Sequence, residues 1–505
     1  MDQQVSNSAR AAATPLTTWM LLALAAILAI RITALVLNRT DLFFDEAQYW
    51  AWAQAPAFGY YSKPPLIAWI IAFATGVCGQ AEACIRLPSP ILHTATALVI
   101  YALATRLYDQ RTGVLAALAF ALLPGVSVSA AIISTDVPLL LCWALGLLGF
   151  SALFDTKSWW PALVLGAALG AGLNAKYAMA WFVACAALYL IATPERRSIL
   201  RDPRLWAALA LGVACIVPNL LWNQAHSFAT FAHTADNAKW EGTLLHPAKA
   251  AEFFVSQFGV FGPFYFAGLL AIAYRGWKSR LPEPDRLLLA FALPLIAIIT
   301  VQAFLSRAHP NWAAVAYVSG VILVIATLVR DLSWGWLKAG YALHAALLAL
   351  LIAATSTAGL FKLPAKADPM ARTLGWREIA DATRAELAAA RAAGHPFASV
   401  LTENRSITAE LLFYMRADRT PVLAWRSGPR PHDHFELTRP FTGAAQEPVL
   451  LVTFKGDTAT PSSPSARSVF DAFAQHDTIV EREIPAGPNT TRHVTFLALS
   501  GYKGP

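Results

Sequence analysis

Apolar runs near the length of a membrane-crossing helix recur along the chain from about residue 18 to about residue 360. A helix needs about 20 apolar residues to cross the roughly 30 Å of hydrocarbon in a bilayer. Because polar loops separate the runs, the pattern predicts an all-α polytopic membrane domain with about 11 transmembrane helices, within a range of about 11 to 13. The predicted spans cover residues 18–37, 88–105, 113–131, 137–154, 159–174, 177–192, 205–222, 251–273, 287–304, 312–329 and 338–360.

Two apolar segments need a separate interpretation. Residues 65–76 are apolar over only about twelve positions, which predicts an interfacial or re-entrant helix rather than a crossing. The stretch 18–37 is too long for the core of a signal peptide and no small-residue cleavage site follows it, so we expect a retained first span. Arg31 lies inside that span and receives no assignment from the sequence.

The polar content becomes ordinary after residue 360. Segments such as PFASVLTEN, SITAELLFYM and RHVTFLAL alternate between strand-like and helix-like patterns, which favours a small soluble α/β or α+β domain. The predicted organisation is a cytoplasmic N-terminus (1–17), a transmembrane domain (18–360) whose first outer loop is 38–87, and a soluble domain (361–505).

The composition excludes an ordinary soluble protein. Of 505 residues, 57% are hydrophobic and only 14% are charged. The net charge of +8 suggests nucleic-acid binding, but Lys and Arg are scattered through short loops rather than gathered on one patch. We therefore expect contacts with membrane lipids and no nucleic-acid partner.

The distribution of basic residues predicts the orientation in the membrane. If the N-terminus lies inside, the cytoplasmic loops are richer in Lys and Arg than the outer loops, which is the positive-inside bias. The soluble domain (361–505), called the tail below, follows an odd number of spans and then lies in the periplasm. The cytoplasmic basic residues are Arg106, Arg111, Lys157, Arg196, Arg197, Arg201, Arg204, Arg275, Lys278, Arg280, Arg286 and Arg330.

The spacing of cysteines and histidines matches no metal-site pattern. Cys78 and Cys84 either form a disulfide in an oxidising compartment or pack independently, and independent packing is the favoured interpretation. His226, His233 and His246 are interpreted as surface residues. We therefore predict no metal ligand.

The first outer loop, DLFFDEAQYWAWAQAPAFGYYSKPPLIAW, combines adjacent acids with a lysine. Asp45 and Glu46 lie at the membrane edge, where an ionised carboxylate is costly unless it lines a hydrated cavity, pairs with a cation or performs chemistry. A Pro-Pro pair holds Lys63 near the positive end of a short helix, which favours an anionic phosphate. The alternative is an interfacial loop with a salt bridge and an aromatic belt that includes Tyr49 and Tyr61.

Three further polar points lie on the same predicted face. Asp136 in STDVPLL is either a functional carboxylate or a plain N-cap of the following helix. Lys176 in NAKY either contacts a ligand or reaches the lipid headgroups. The loop SRAHPNW offers donors suited to phosphate or sugar hydroxyls, namely Arg307, His309, Asn311 and Trp312.

In this order and spacing, DEAQYW, YYSKPPLIAW, STDVPLL, NAKY and SRAHPNW resemble the bacterial GT-C glycosyltransferases related to lipid A aminoarabinose transferases and protein O-mannosyltransferases. The resemblance covers the membrane part and extends weakly into the tail. It implies a GT-C fold and transfer of a sugar from a polyprenyl-phosphate-linked donor to a lipid or glycan acceptor. Relatives with the DEAQYW and PNW signatures include enzymes that add sugars such as galacturonic acid to lipid A or the lipopolysaccharide core.

The resemblance also implies roles for individual residues. It implies that Asp45 is the catalytic carboxylate, Asp136 a second functional carboxylate and Lys63 the lysine that binds the donor phosphate. Arg307 and His309 are expected to help bind that phosphate. The expected substrate-binding residues are Glu46, Tyr49, Tyr61, Lys176, Tyr177, Asn311 and Trp312.

The chain departs from the aminoarabinose transferases at two positions. Gln48 stands where those enzymes often have arginine, which removes one phosphate contact. Ser62 stands where they have an acidic residue before Lys-Pro-Pro, which removes a ligand from any metal site there. We therefore expect that no cofactor is required, with a divalent metal as the alternative.

A sugar on polyprenyl phosphate already has a good leaving group, so the enzyme must neutralise the departing phosphate and align an acceptor at the anomeric carbon. Asp45 would deprotonate a hydroxyl acceptor, whereas an anionic lipid-phosphate acceptor needs only positioning. A lipid or solute transporter is the rival from another class, but the chain shows no convincing repeat and its polar clusters gather at one face. A protein O-glycosyltransferase with the same donor chemistry is a further alternative. A non-catalytic lipid-binding subunit is another, but the retention of all three motif groups argues against it.

Overall fold

The structure is a computed structural model that describes residues 15–238, 244–362, 368, 370–454, 464–488 and 491–504. The predicted cytoplasmic segment 1–17 lies largely outside these residues. The described residues form two compact units. Unit 1 comprises the described parts of Met1–Leu35, Leu87–Pro218 and Asp236–Leu351, and unit 2 comprises those of Val36–Arg86, Asn219–Ala235 and Ile352–Pro505.

The apolar segments fold into helices, because a helix satisfies its own backbone hydrogen bonds within hydrocarbon. The α-helices are α1 Pro15–Leu37, α2 Phe44–Ala53, α3 Leu66–Cys78, α4 Glu82–Arg86, α5 Pro88–Leu107, α6 Gln110–Leu122, α7 Pro124–Ala130, α8 Asp136–Leu153, α9 Trp160–Ala175, α10 Trp181–Ala192, α11 Pro203–Ala225, α12 Ala229–Ala238, α13 Pro247–Val260, α14 Pro263–Lys278, α15 Glu283–Ala290, α16 Leu293–Leu305, α17 Ala316–Arg330, α18 Trp334–Ser356, α19 Trp376–Ala392, α20 Arg405–Tyr414, α21 His434–Thr438 and α22 Pro464–Ala472. Short 3-10 turns cover Tyr177–Ala180, Pro194–Arg201, Pro310–Ala313, Ala371–Thr373 and Ala444–Gln446.

Within the described part of the chain, six helical segments are long and apolar enough to cross a membrane, or up to eight if each of two bent helix pairs forms one span. The chain is therefore an integral membrane protein, as predicted. The predicted spans 159–174, 177–192 and 312–329 fall on shorter apolar helices, so the count of about 11 stays a prediction. The six segments are Pro15–Leu37, Glu82–Leu107, Asp136–Leu153, Pro203–Ala225, Glu283–Leu305 and Trp334–Ser356.

Two of the predicted spans are bent helix pairs. Residues 113–131 fall on α6 and α7, which meet at 58° where Leu123 leaves the helical conformation. Residues 251–273 fall on α13 and α14, which meet at 115° and are not one continuous helix. Gly262 lies at this second break with φ +88°, and a Cβ there would collide with the His344 ring. Glycine therefore permits both the left-handed backbone and the close approach of the imidazole.

Arg31 is buried within α1 and lies close to the break between α6 and α7 in unit 1. Its guanidinium donates to the carbonyl oxygen of Ala121 and lies 3.4 Å from the Ser127 Oγ. A break leaves carbonyl oxygens without their usual helical donors, and an unpaired carbonyl in hydrocarbon is costly. Arg31 therefore stabilises the break, which accounts for a charge within an apolar span.

The tail folds around a five-stranded sheet in unit 2, with strand order β2-β1-β3-β5-β4. Strand β1 pairs in parallel with β2 and β3, whereas β5 pairs antiparallel with β3 and β4. The predicted mixture of strands and helices in the tail is therefore confirmed. The strands are β1 Ser399–Thr402, β2 Val422–Ala424, β3 Val449–Phe454, β4 Phe473–Pro485 and β5 Thr491–Tyr502.

The first outer loop packs against the tail within unit 2. The Leu42 N–H donates to the Tyr414 hydroxyl at 2.9 Å, and the Trp376 N–H donates to the Asp41 Oδ2 at 2.9 Å. Unit 2 thus joins two segments that the predicted domain boundaries separate. Side chains of the tail are consequently available to the acidic motif of the first loop.

Cys78 at the end of α3 and Cys84 in α4 form a disulfide, with their Cα atoms 5.8 Å apart. The favoured interpretation that these two residues pack independently is therefore wrong. The two cysteines are six positions apart in the sequence, so the bridge closes a short loop between two helices.

Candidate active site

The acidic motif of the first loop lies in the first turn of α2, where Asp45 and Glu46 face different surroundings. Adjacent residues on a helix point about 100° apart, so a buried residue is readily followed or preceded by a more accessible one. The side chain of Glu46 is 1% exposed, whereas that of Asp45 is 39% exposed. Of the two neighbouring acids, Asp45 is the more accessible.

Glu46 is paired with Arg86, which is equally buried at 1% exposure. Arg86 Nη2 lies 2.7 Å from Glu46 Oε2, and Arg86 Nε lies 3.0 Å from Glu46 Oε1. Glu46 Oε2 also accepts from the Phe43 N–H at 2.9 Å, which caps the start of α2. We therefore assign Glu46 a structural role instead of the predicted contact with substrate.

Replacing Arg86 by methionine should destabilise the protein strongly. Glu46 would remain buried without its partner, and removing one member of a buried ion pair costs about 3 to 5 kcal/mol. We expect a clear fall in the midpoint of thermal unfolding of the detergent-solubilised protein. Adding Glu46→Gln to this variant should recover part of the loss, because no buried charge then remains. An unchanged midpoint in Arg86→Met would contradict the assignment.

Asp45 contacts Arg405, an arginine of the tail that belongs to none of the sequence motifs. Arg405 Nη1 lies 3.2 Å from Asp45 Oδ1 and 3.0 Å from Gln48 Oε1. The guanidinium carbon also lies 5.0 Å from the centroid of the Phe44 ring, which is a cation–π distance. The sequence contains one signal for this contact. Arg405 comes just after Asn404, a favourable N-cap, and therefore lies at the positive end of a helix. A nearby acid would compensate the charge of an arginine in that position.

Lys63 lies just before the Pro-Pro pair, as the sequence shows, and α3 begins at Leu66. Its backbone carbonyl accepts from the Tyr60 N–H at 3.2 Å, which closes the turn that precedes the helix. The Lys63 side chain is half-buried. This position near the start of α3 agrees with the predicted placement beside the positive end of a short helix.

Two of the three tyrosines predicted to bind substrate are buried, with Tyr49 at 5% and Tyr61 at 8% exposure. The Tyr61 hydroxyl donates to the Pro431 carbonyl oxygen at 2.9 Å, which ties the first loop to the tail. Tyr49 packs against Trp52 with ring centroids 5.1 Å apart. These contacts favour structural roles for both tyrosines within unit 2.

His434 of the tail completes an aromatic cluster with the first loop. Its ring lies 5.4 Å from the rings of both Trp52 and Tyr60, which stack on each other at 4.7 Å. Burial lowers the pKa of His434 to about 3, so the imidazole is neutral at physiological pH. The cluster is a hydrophobic contact that holds the loop against the tail.

In unit 1, three of the separate polar motifs meet at Asp136. Lys176 Nζ lies 2.6 Å from Asp136 Oδ1, and Asn311 Nδ2 lies 2.6 Å from Asp136 Oδ2. Asp136 is the first residue of α8, and Thr135 occupies the N-cap position. The Asp136 carboxylate is therefore engaged by two other motifs rather than acting as a plain cap. The Lys176 ammonium therefore pairs with the Asp136 carboxylate. The alternative interpretation, in which Lys176 reaches the lipid headgroups, does not predict this pair.

The other predicted site residues of the SRAHPNW loop are close to Asn311 in the sequence. Gln257, which is buried, donates to the Pro310 carbonyl oxygen at 3.3 Å and accepts from the Tyr317 hydroxyl at 2.6 Å, so the loop is anchored. His309 and Trp312 pack with ring centroids 5.5 Å apart. Arg307 and Tyr177 are half-buried, and the Arg307 Nε has no hydrogen-bond partner among the described residues.

Histidine, cysteine and acidic side chains are the groups that could bind a metal ion here. Within the described ranges, no group of three or more of these residues is arranged to hold one. His226, one of the three loop histidines, stacks on Trp222 at 4.0 Å and its Nδ1 lies 2.8 Å from that residue's carbonyl oxygen. The absence of a metal requirement stays a prediction.

The chain is similar to known glycosyltransferases along most of its length. A family model described as dolichyl-phosphate-mannose-protein mannosyltransferase matches residues 62–222. The lipid A galacturonosyltransferase RgtD of Rhizobium johnstonii is 34% identical over 435 residues, which are 86% of this chain and 90% of that protein. The chain belongs to the GT-C glycosyltransferases. This GT-C chain is therefore an enzyme, a membrane glycosyltransferase.

Further relatives of this GT-C enzyme agree with that membership. The lipopolysaccharide core galacturonosyltransferase RgtA of the same organism is 30% identical over 208 residues, 41% of this chain and 42% of that protein. The crystal structure of ArnT from Cupriavidus metallidurans in the apo state gives a TM-score of 0.58 at 16% identity, covering 96% of this chain and 98% of that one. The Archaeoglobus fulgidus oligosaccharyltransferase gives a TM-score of 0.51 at 12% identity, covering 94% and 74%. These structures confirm the predicted GT-C fold.

Proposed function

We propose that this enzyme transfers galacturonic acid from a polyprenyl-phosphate-linked donor to lipid A or the lipopolysaccharide core. The similarity to RgtD over 86% of the chain carries the proposal for the sugar and the acceptor. The donor class is supported by a structural relative, ArnT of Cupriavidus metallidurans, which has been solved with undecaprenyl phosphate bound and has a TM-score of 0.58 to this chain.

Asp45 is proposed as the base that receives the proton of the acceptor hydroxyl. It is the accessible member of the acidic pair, since its side chain is 39% exposed while that of Glu46 is 1% exposed. The acceptor oxygen forms a bond to the anomeric carbon, and the bond from that carbon to the phosphate oxygen breaks. The electron pair leaves with the phosphate, whose growing charge needs a cation nearby.

Lys63 is proposed to supply that cation. An ammonium at the start of α3 combines its own charge with the positive end of the helix, and both favour a phosphate. Within unit 1, Arg307 and His309 are proposed as phosphate-binding residues, because their side chains are donors. In unit 1, Asp136 is proposed to hold Lys176 and Asn311 in the orientation that substrate binding requires.

The proposed orientation places the first loop and the tail in the periplasm of a bacterial cell with the protein in the inner membrane. The loop-charge bias supports this orientation, together with the odd number of spans that the sequence predicts. The Cys78–Cys84 disulfide supports it independently, because disulfides persist in oxidising compartments such as the periplasm and are rare in the cytosol.

Mass spectrometry of envelope lipids tests the proposed function. A deletion strain should lack the mass of one hexuronic acid residue on lipid A or core fragments, and plasmid-borne wild-type protein should restore it. Plasmid-borne Asp45→Asn protein, expressed at the same level, should not. Loss of a sugar from a glycoprotein instead would favour the protein O-glycosyltransferase alternative.

A further inference from the structure

The position of Arg405 is determined by the sheet of the tail rather than by the first loop. Strand β1 lies in the core of the sheet, and the chain reaches Arg405 three residues after the strand ends. The Asn404 side chain accepts from the Ser406 N–H at 2.9 Å, which caps α20, and the Thr402 and Thr408 hydroxyls lie 2.5 Å apart. The backbone of Arg405 is thus held from both sides.

Gln48 and Phe44 orient the guanidinium from the side of the first loop. Gln48 is 2% exposed, and its Oε1 accepts from the same Nη1 that contacts Asp45. Phe44 lies against the guanidinium carbon at 5.0 Å. The guanidinium therefore has contacts in two directions, and its Nη1 is directed at Asp45 Oδ1.

The ion pair contributes little to the stability of the fold. Asp45 is 39% and Arg405 is 35% exposed, and pairs this accessible are screened by solvent. An arginine at the first position of a helix also faces the positive end of the helix dipole, which is unfavourable. A contact that is weak for folding and unfavourable for its own helix is better explained by its effect on the carboxylate that it touches.

We propose that Arg405 is a positioning residue for Asp45. Its hydrogen bond to Oδ1 fixes the rotation of the carboxylate, so that Oδ2 is directed to receive the proton of the acceptor hydroxyl. The inference rests on the proposed role of Asp45 as base. It adds a requirement that the sheet domain of the tail contributes directly to the geometry of the reaction.

A double-mutant cycle on the purified full-length enzyme tests this role. Arg405→Ala should lower kcat by about 10-fold or more while KM for the lipid-linked sugar changes by less than about twofold. In the Asp45→Asn background, Arg405→Ala should change kcat by less than about twofold, because its effect passes through the carboxylate. Arg405→Lys should retain more activity than Arg405→Ala, since it keeps the charge but not the planar geometry.

Arg384→Ala is the matched control. Arg384 is 36% exposed and pairs with Asp418 and Asp381 in the same unit, so its loss should leave kcat unchanged. The inference would be overturned if the loss of kcat in the Asp45→Asn/Arg405→Ala variant equalled the product of the losses in the two single variants. A normal kcat in Arg405→Ala would also overturn it, as would unfolding of both Arg405 variants, which would make the contact structural. Near-normal kcat in Asp45→Asn alone would instead defeat the proposed role of Asp45 as base, on which the inference rests.

Discussion

Replacing Asp45 by asparagine should lower the rate of sugar transfer by about two orders of magnitude or more while the lipid-linked donor still binds. Asparagine preserves the shape of the side chain but cannot accept the proton. Because Asp45 is 39% exposed, the loss of its ion pair with Arg405 should leave the unfolding midpoint almost unchanged. Single-turnover transfer and donor binding are measured separately on the same preparation.

Lys63→Ala should fail in a different way from Asp45→Asn. Removing a cation from the donor phosphate loses a charge-assisted contact worth about 1.5 to 3 kcal/mol, which is roughly 10- to 150-fold in donor affinity. Donor binding and turnover should therefore both fall. The Asp45→Asn/Lys63→Ala variant should be little worse than the poorer single variant, because residues of one catalytic unit do not lose rate additively.

Asp477→Asn is the control for these measurements. Asp477 is an exposed acid on strand β4, so the same chemical change there should leave both binding and turnover unchanged. Near-normal transfer by folded Asp45→Asn protein would defeat the assignment of Asp45 as base. A donor affinity unchanged in Lys63→Ala would remove Lys63 from the phosphate site.

The helices of the membrane part were predictable because hydropathy alone determines where a chain can cross hydrocarbon. Every predicted span coincides with a helix or a helix pair, and the short apolar run 65–76 coincides with α3. The bend between α13 and α14 was not predictable from hydropathy, since both helices are apolar. Gly262 followed by proline was the local signal, but only the His344 ring shows why no side chain fits there.

The candidate site was predictable in part, because reactive residue types stand out against an apolar background. Asp45 and Lys63 stand out in this way and their roles stay predictions, and the neighbouring Glu46 is predicted to contact substrate for the same reason. Its partner Arg86 is forty residues away in sequence, and a pattern of adjacent acids carries no information about which one is buried. No sequence motif indicates Arg405 for a related reason, since its contact with Asp45 arises from the packing of the tail against the first loop.

The Asp136 cluster shows what pairwise geometry adds to motif recognition. In the sequence, Asp136, Lys176 and Asn311 belong to three separate motifs. A helix cap explains Asp136 equally well. The distances of 2.6 Å from Asp136 to Lys176 and to Asn311 show that they form one cluster within unit 1. Contacts between residues 40 and 175 positions apart depend on helix packing, which the periodicity of single helices does not specify.

Removing both charges of the Asp136–Lys176 pair should separate a structural pair from a functional one. Asp136→Asn leaves the half-buried Lys176 ammonium without its partner, and Lys176→Gln leaves the Asp136 carboxylate without its partner. Each single substitution should therefore cost about 1 to 3 kcal/mol of stability. Each should also lower turnover about 10-fold or more. The Asp136→Asn/Lys176→Gln variant leaves no unpaired charge, so its unfolding midpoint should return towards that of the wild type. We expect its turnover to stay as low as that of the poorer single variant, because a substrate contact with Lys176 needs the charge. The exposed pair of Arg106 and Asp155, treated in the same way, should leave turnover unchanged. Recovery of turnover together with stability in the Asp136→Asn/Lys176→Gln protein would assign this pair to the fold alone.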